Sequence, residues 1–126
     1  MKRDLDLIRY ILANIENSTS TKLTVDDFTN DDYDASRISF HISLLLDCGY
    51  IEATEFNVIG QKYQQYLIKR ITSSGYDYLN SVRDANVWSK TKETLKSVGN
   101  SVSLDVIKTV ASKVALNLQG LSLLQW

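Results

Sequence analysis

One histidine, one cysteine and five closely spaced aspartates are the residues of this chain whose types could support catalysis or metal binding. His41 and Cys48 are seven residues apart, so on one helix they share nearly the same side but are separated by roughly 10 Å along the axis. That is too far for a thiol–imidazole dyad or for one shared metal, and the chain offers no further ligands at zinc spacing. His41 therefore reads as a partly buried, hydrogen-bonded side chain. Asp26, Asp27, Asp31, Asp32 and Asp34 offer oxygen ligands to a hard cation, but a calcium loop needs a central glycine and a closing glutamate. They read as a solvated loop. Gly60, Gly75 and Gly99 are isolated turn or helix punctuation, not a phosphate-cradling loop. No Ser–His–Asp arrangement is present. The expectation is a protein without catalytic residues, cofactor or metal.

The other chemistry open to these residues is nucleic-acid contact. In the segment "ISFHISLLLDCGYIEATEF" (38–56), a helix stops at Gly49 and runs into a strand. At about 100° per residue, Ile38, Ile42, Leu45 and Leu46 share one side, with Ala35 and Gly49 nearby. The opposite side carries Ser36, Arg37, Ser39, Phe40, Ser43, Leu44 and Asp47. Arginine can grip guanine through two bonds, and serine can donate to or accept from several bases. Further on, Lys62, Lys69 and Arg70 belong to a hairpin, and Lys90, Lys92 and Lys96 to a helix, all able to meet phosphate. The last three also fit an ordinary solvated face that includes Glu93. Asp47 and the acidic loop before the helix repel phosphate. Charge is unevenly placed: residues 1–60 hold five basic and eleven acidic side chains, and residues 61–126 nine and four. A nucleic-acid footprint would lie in the second half.

These side chains are positioned by a short series of elements. Leu5, Ile8, Leu12 and Ile15 predict a helix over 4–16, with Asp4 and Asp6 in its first turn. "NSTST" is a polar loop. "KLTVDDF" is either a short extended piece or a short helix capped by Thr24. The central helix starts near Asp34 or Ser36. Tyr50–Val58 and Tyr63–Ile71 form a hairpin around "IGQK". Thr72 or Ser73 caps a helix through Tyr76, Leu79 and Val82, and "ANVWSKTKETLKSVGN" forms another that stops at Gly99. Ser103 caps a last helix, in which Leu104, Ile107, Ala111, Val114, Leu118 and Leu121 form a seam. That seam folds back on the first helix or pairs with a second copy. Leu116 and the tail "LSLLQW" favour a partner surface.

At 126 residues, with 44% hydrophobic and 23% charged side chains, the chain fits one soluble domain. A single cysteine forms no internal disulfide. The basic-then-apolar start is interrupted by Asp4, Asp6 and Arg9, unlike a leader, and no window is apolar enough to span a membrane. The expected location is the cytoplasm.

"MKRDLDLIR", "FHISLLLDCGYIEA", "ITSSGYDYLNSVRDANVWSKTKE" and "GNSVSLDVIK", in that order, resemble the domain of unknown function 2513, a family of small bacterial and prophage proteins. The resemblance runs from Met1 to about Leu118. It implies a winged-helix-like fold and a phage or mobile-element setting, and no activity. More generally, helix, "LLLDCGYIEA", hairpin and "ITSSGYDYL" resemble winged-helix domains, although "KLTVDDFTNDDY" leaves little room for the helix that supports a recognition helix. The expectation is an α+β, winged-helix-like domain over 1–126, with its core at 1–84 and a helical extension at 86–121. Its expected role is regulatory double-stranded DNA binding as a homodimer through Leu104–Leu121. The rival expectation is a phage accessory module that binds a host protein through its acidic first half or its last helix.

Overall fold

The computed structural model describes residues 1–98 and 102–118, and packing divides the chain into two compact units, Met1–Tyr76 and Asp77–Trp126. The architecture is mixed α+β.

In the first unit, helix α1 spans Leu5–Asn17. Asp4 starts it by accepting the Leu7 N–H at 3.1 Å, which satisfies one of the donors a helix start leaves open. Its buried stripe is broader than expected: Leu7 and Ile11 join Leu5, Ile8 and Leu12, while Ile15 is half-buried. Both alternatives for the next segment occur in succession. Strand β1 is Leu23–Thr24, and a 3-10 helix follows at Val25–Phe28. Asp27 closes this joint by accepting the Thr24 N–H at 2.8 Å. The four-residue helix buries Val25 and Phe28 and ends there.

Helix α2 spans Ala35–Asp47, with Asp34 accepting the Arg37 N–H at 2.9 Å as its cap. Ile38, Ile42 and Leu45 are buried as expected, and His41 is buried with them. Two assignments change. Leu46 is half-buried rather than core, and Ser39, expected on the outward side, is buried. Gly49 ends the helix at φ 70, with its N–H on Leu46 O at 3.0 Å and the Tyr50 N–H on Leu45 O at 2.9 Å.

Strands β2 (Ile51–Phe56) and β3 (Gln65–Ile71) form the hairpin, and β1 pairs on the far side of β3 in the order β1-β3-β2. Ile51 lies opposite Ile71 and Phe56 opposite Gln65, with one register shift between Glu52 and Ala53. Both strands are shorter than their β-forming composition predicts, because residues 57–64 are used in a built loop. Helix α3 spans Ser73–Val82. Gly75, expected to be punctuation, lies inside it: a Cβ there would stand 2.1 Å from Tyr50 O. The helix starts hard against the end of the α2–β2 joint, and only glycine fits.

In the second unit, α4 spans Ala85–Thr94 and is capped by Asp84, which accepts the Asn86 and Val87 N–H groups at 2.8 and 3.0 Å. It ends before Gly99, which lies outside the described residues. Helix α5 spans Leu104–Leu118, with Ser103 Oγ accepting the Val106 N–H at 3.3 Å. The two helices pack together, burying Val87 and Trp88 of α4, Leu95 just past its end, and Leu104, Ile107 and Ala111 of α5. Among the described residues, no helix is long and apolar enough to cross a membrane.

Candidate functional site

Of the five α2 side chains expected to meet bases, Ser36 alone is exposed. Arg37 donates to the Asp4 carboxylate at 2.9 Å and lies over the Tyr33 ring, 5.4 Å from its centroid. Ser39 is covered by the hairpin loop, and its hydroxyl donates to Gln64 O at 2.6 Å. Phe40 is half-buried, edge-on to the His41 ring. Ser43 turns its hydroxyl back onto Phe40 O. Apart from Ser36, the face reads as interior and semi-interior surface, because Arg37, Ser39 and Ser43 each already have an acceptor in the chain.

The cations divide similarly. Lys62 and Lys69 are exposed. Arg70 donates to Glu52 at 2.7 Å across the hairpin. In the second unit, Lys92 sits over the Trp88 ring and Lys90 lies 4.0 Å from Glu93. Residues 1–76 hold eight Lys and Arg against eleven Asp and Glu, and residues 77–126 hold six against four. The sheet end of the first unit is acidic in its local chemistry: Asp26 accepts the Tyr63 hydroxyl at 2.7 Å, which raises the pKa of that phenol. Burial, with the charges of Glu55 and Asp47, raises Tyr66.

His41 joins the starts of α1 and α2. Its Nε2 accepts the Asp4 N–H at 2.7 Å, which makes Nδ1 the protonated nitrogen, and Nδ1 lies 2.8 Å from Arg37 O. Burial lowers its pKa from 6.5, against the opposing effects of the Arg37 carbonyl and the Asp4 carboxylate. Cys48 is exposed at the far end of the helix, so the two share no site. Three of the five aspartates serve the fold: Asp27 and Asp34 accept backbone N–H groups at helix starts, and Asp26 accepts from the Tyr63 and Gln65 side chains of the hairpin. Among the described residues no group of three or more His, Cys, Asp or Glu is placed to hold a metal ion.

The hairpin loop 57–64 is pinned on several sides. Gln64 Nε2 donates to Phe56 O at 2.9 Å, and the Gln61 N–H closes a turn on Val58 O at 3.2 Å. Buried Gln65 accepts the Val25 N–H at 2.8 Å and donates to Asp26 at 3.1 Å. Yet Phe56, Val58 and Ile59 are exposed, Ile59 completely. Asp34, Ala35 and Ser36 share a shallow depression with Gly60–Tyr63.

Leu104, Ile107 and Ala111 of the expected partner seam are used inside the second unit, Val114 is half-buried, Leu118 is exposed, and Leu121 lies outside the described residues. Sequence reasoning placed Asp4 at the start of the first helix but missed its contacts with His41 and Arg37, and it missed Gln65 and the apolar loop. The loop had one signal, the three bulky apolar side chains in "FNVIG" beside a turn glycine.

These features define a small mixed α+β protein whose central helix is tied into its own fold. The chain belongs to the DUF2513 family, described as "Hypothetical protein (DUF2513)", whose model matches residues 2–101. It is similar to an uncharacterized protein of Haemophilus influenzae, 34% identical over 116 residues that cover 90% of this chain and 95% of that protein. No solved structure matches it significantly.

Proposed function

We propose that the protein is a non-enzymatic, winged-helix-like binding module of phage or mobile-element origin whose partner is a protein. The order α1, β1, 3-10 helix, α2, β2, β3 and the sheet order β1-β3-β2 support the winged-helix reading. Within it, α2 occupies the recognition position and residues 57–64 the wing. The observation that carries the choice of partner is the internal use of the would-be base readers. Ser39 lies under the loop, and Arg37 is held by Asp4. Freeing Ser39 breaks a part-buried hydrogen bond, about 1 kcal/mol, and freeing Arg37 breaks a half-exposed ion pair, at most about 1 kcal/mol. Acidic side chains at both ends of α2, Asp34 and Asp47, add repulsion toward phosphate.

Binding to duplex DNA as a regulator is the second reading, favoured by the exposure of Ser36, Lys62 and Lys69 on the helix start, the loop and β3. Fluorescence anisotropy with a mixed-sequence duplex at low and physiological salt separates the two. The protein reading predicts no binding at either salt. Affinity that falls steeply with salt and weakens in Lys69→Ala would establish phosphate contacts instead.

A further inference from the structure

We propose that the apolar tip of the hairpin loop, Phe56, Val58 and Ile59, is a preformed docking surface for a protein segment that combines bulky apolar side chains with lysine or arginine. The proposal rests on the protein-partner reading above and names its surface and the chemistry of its partner.

Three observations meet at this place. First, three large apolar side chains stand exposed in four residues at the end of β2 and the start of the loop, and Ile59 is completely open to solvent. Exposed apolar side chains scattered singly are ordinary, but a group at one loop tip marks a contact. Second, the loop is held from beneath. Ser39 of α2 donates to Gln64 O at 2.6 Å, Tyr63 donates to Asp26 at 2.7 Å, and Gln64 donates to Phe56 O at 2.9 Å. A loop fixed in this way meets a partner without the entropy loss of ordering it, so its apolar contacts count in full toward affinity. Third, the rim is acidic. Glu55 precedes the apolar group, Asp34 lies beside Gly60–Tyr63, and exposed Asp26 holds the Tyr63 hydroxyl at the loop's end. Lys62 is the one cation within the loop.

The rim selects the occupant. Duplex DNA and anionic lipid both present phosphate, which this rim repels. A second copy pairing tip to tip about a two-fold axis would set acidic rim against acidic rim. A segment with apolar anchors flanked by Lys or Arg fills the centre and complements the edge, the arrangement in which charge sets specificity and buried anchors carry affinity.

The test is selection of a random dodecapeptide library displayed on phage against the full chain, followed by binding of the recovered peptides to wild type, Ile59→Ser and Leu116→Ser. Ile59 is fully exposed, so its substitution leaves the fold intact, and Leu116 is an exposed apolar residue of α5. The expected result is enrichment of peptides combining Leu, Phe or Trp with Lys or Arg, whose affinity drops about tenfold in Ile59→Ser, as for an interface anchor, and is unchanged in Leu116→Ser. Enriched peptides that bind Ile59→Ser as tightly as wild type would overturn the loop as the surface while leaving a protein partner in place. Acidic peptides, or none, would overturn the proposed partner chemistry. A wild-type chain that elutes as a dimer beside a monomeric Ile59→Ser would assign the surface to a second copy. Peptide failure joined to salt-sensitive duplex binding would remove the protein reading as well.

Discussion

His41 accepts a backbone N–H from Asp4, so the imidazole must stay neutral for α1 and α2 to meet as they do. Protonation would place a second donor opposite the Asp4 N–H in a buried position and facing the Arg3 and Arg37 charges, a cost that the Arg37 carbonyl and the Asp4 carboxylate offset only in part. The sign follows from the lowered pKa. Above the ordinary value near 6.5, neither folded nor unfolded chain holds this proton, and the contribution is complete. As pH falls through that value, the unfolded chain takes up the proton first, and stability declines until the lower folded value is reached. Urea unfolding at a series of pH values should therefore show a loss in mild acid that is absent from His41→Ala. The same variant should be less stable by about 1–3 kcal/mol at neutral pH, the cost of leaving a part-buried donor open. The histidine's place at the edge of the core stripe was legible from helical spacing. Its partner was not, because Asp4 lies 37 residues away and no local pattern records which backbone N–H a ring will meet.

At the scale of elements, the helices were the most legible, since caps and apolar spacing are local. Asp34 and Gly49 bound α2 and Asp84 starts α4, each a residue type with a physical reason to stand there. The misreadings came from tertiary packing. Ser39 looked like surface by angle, but the loop folds over it. Gly75 looked like punctuation, but it marks the point where α3 passes against Tyr50 O. Gly49 and Gly75 thus make opposite predictions about space. Gly49→Ala meets nothing within 4 Å and carries only the left-handed backbone cost, about 1 kcal/mol. Gly75→Ala forces backbone apart and should cost clearly more, about 2–4 kcal/mol, in thermal or urea unfolding. Gln65→Leu, which removes the acceptor of the Val25 N–H and the donor to Asp26, should speed amide exchange across residues 57–64. Unchanged exchange there would mean the loop is held by other bonds.

For the whole molecule, composition already pointed away from a strongly basic surface, and the structure explains why the few cations do not gather. Arg37 and Arg70 are in ion pairs, and Lys92 lies over an aromatic ring. The seam of α5 was legible as a repeat but not as to its partner: Leu104, Ile107 and Ala111 pack on α4. A heptad-like spacing specifies an apolar stripe and leaves open which stripe it meets. We propose that this α+β chain presents its loop tip to protein and keeps its α2 face for itself. Amide chemical-shift mapping of the isotope-labelled chain tests it most directly, with a mixed-sequence duplex added to one sample and a selected basic–apolar peptide to another. The account predicts shifts at Phe56, Val58 and Ile59 with the peptide and none on α2 with the duplex. Shifts at Ser36, Lys62 and Lys69 on adding duplex, with the loop tip silent to peptide, would contradict it.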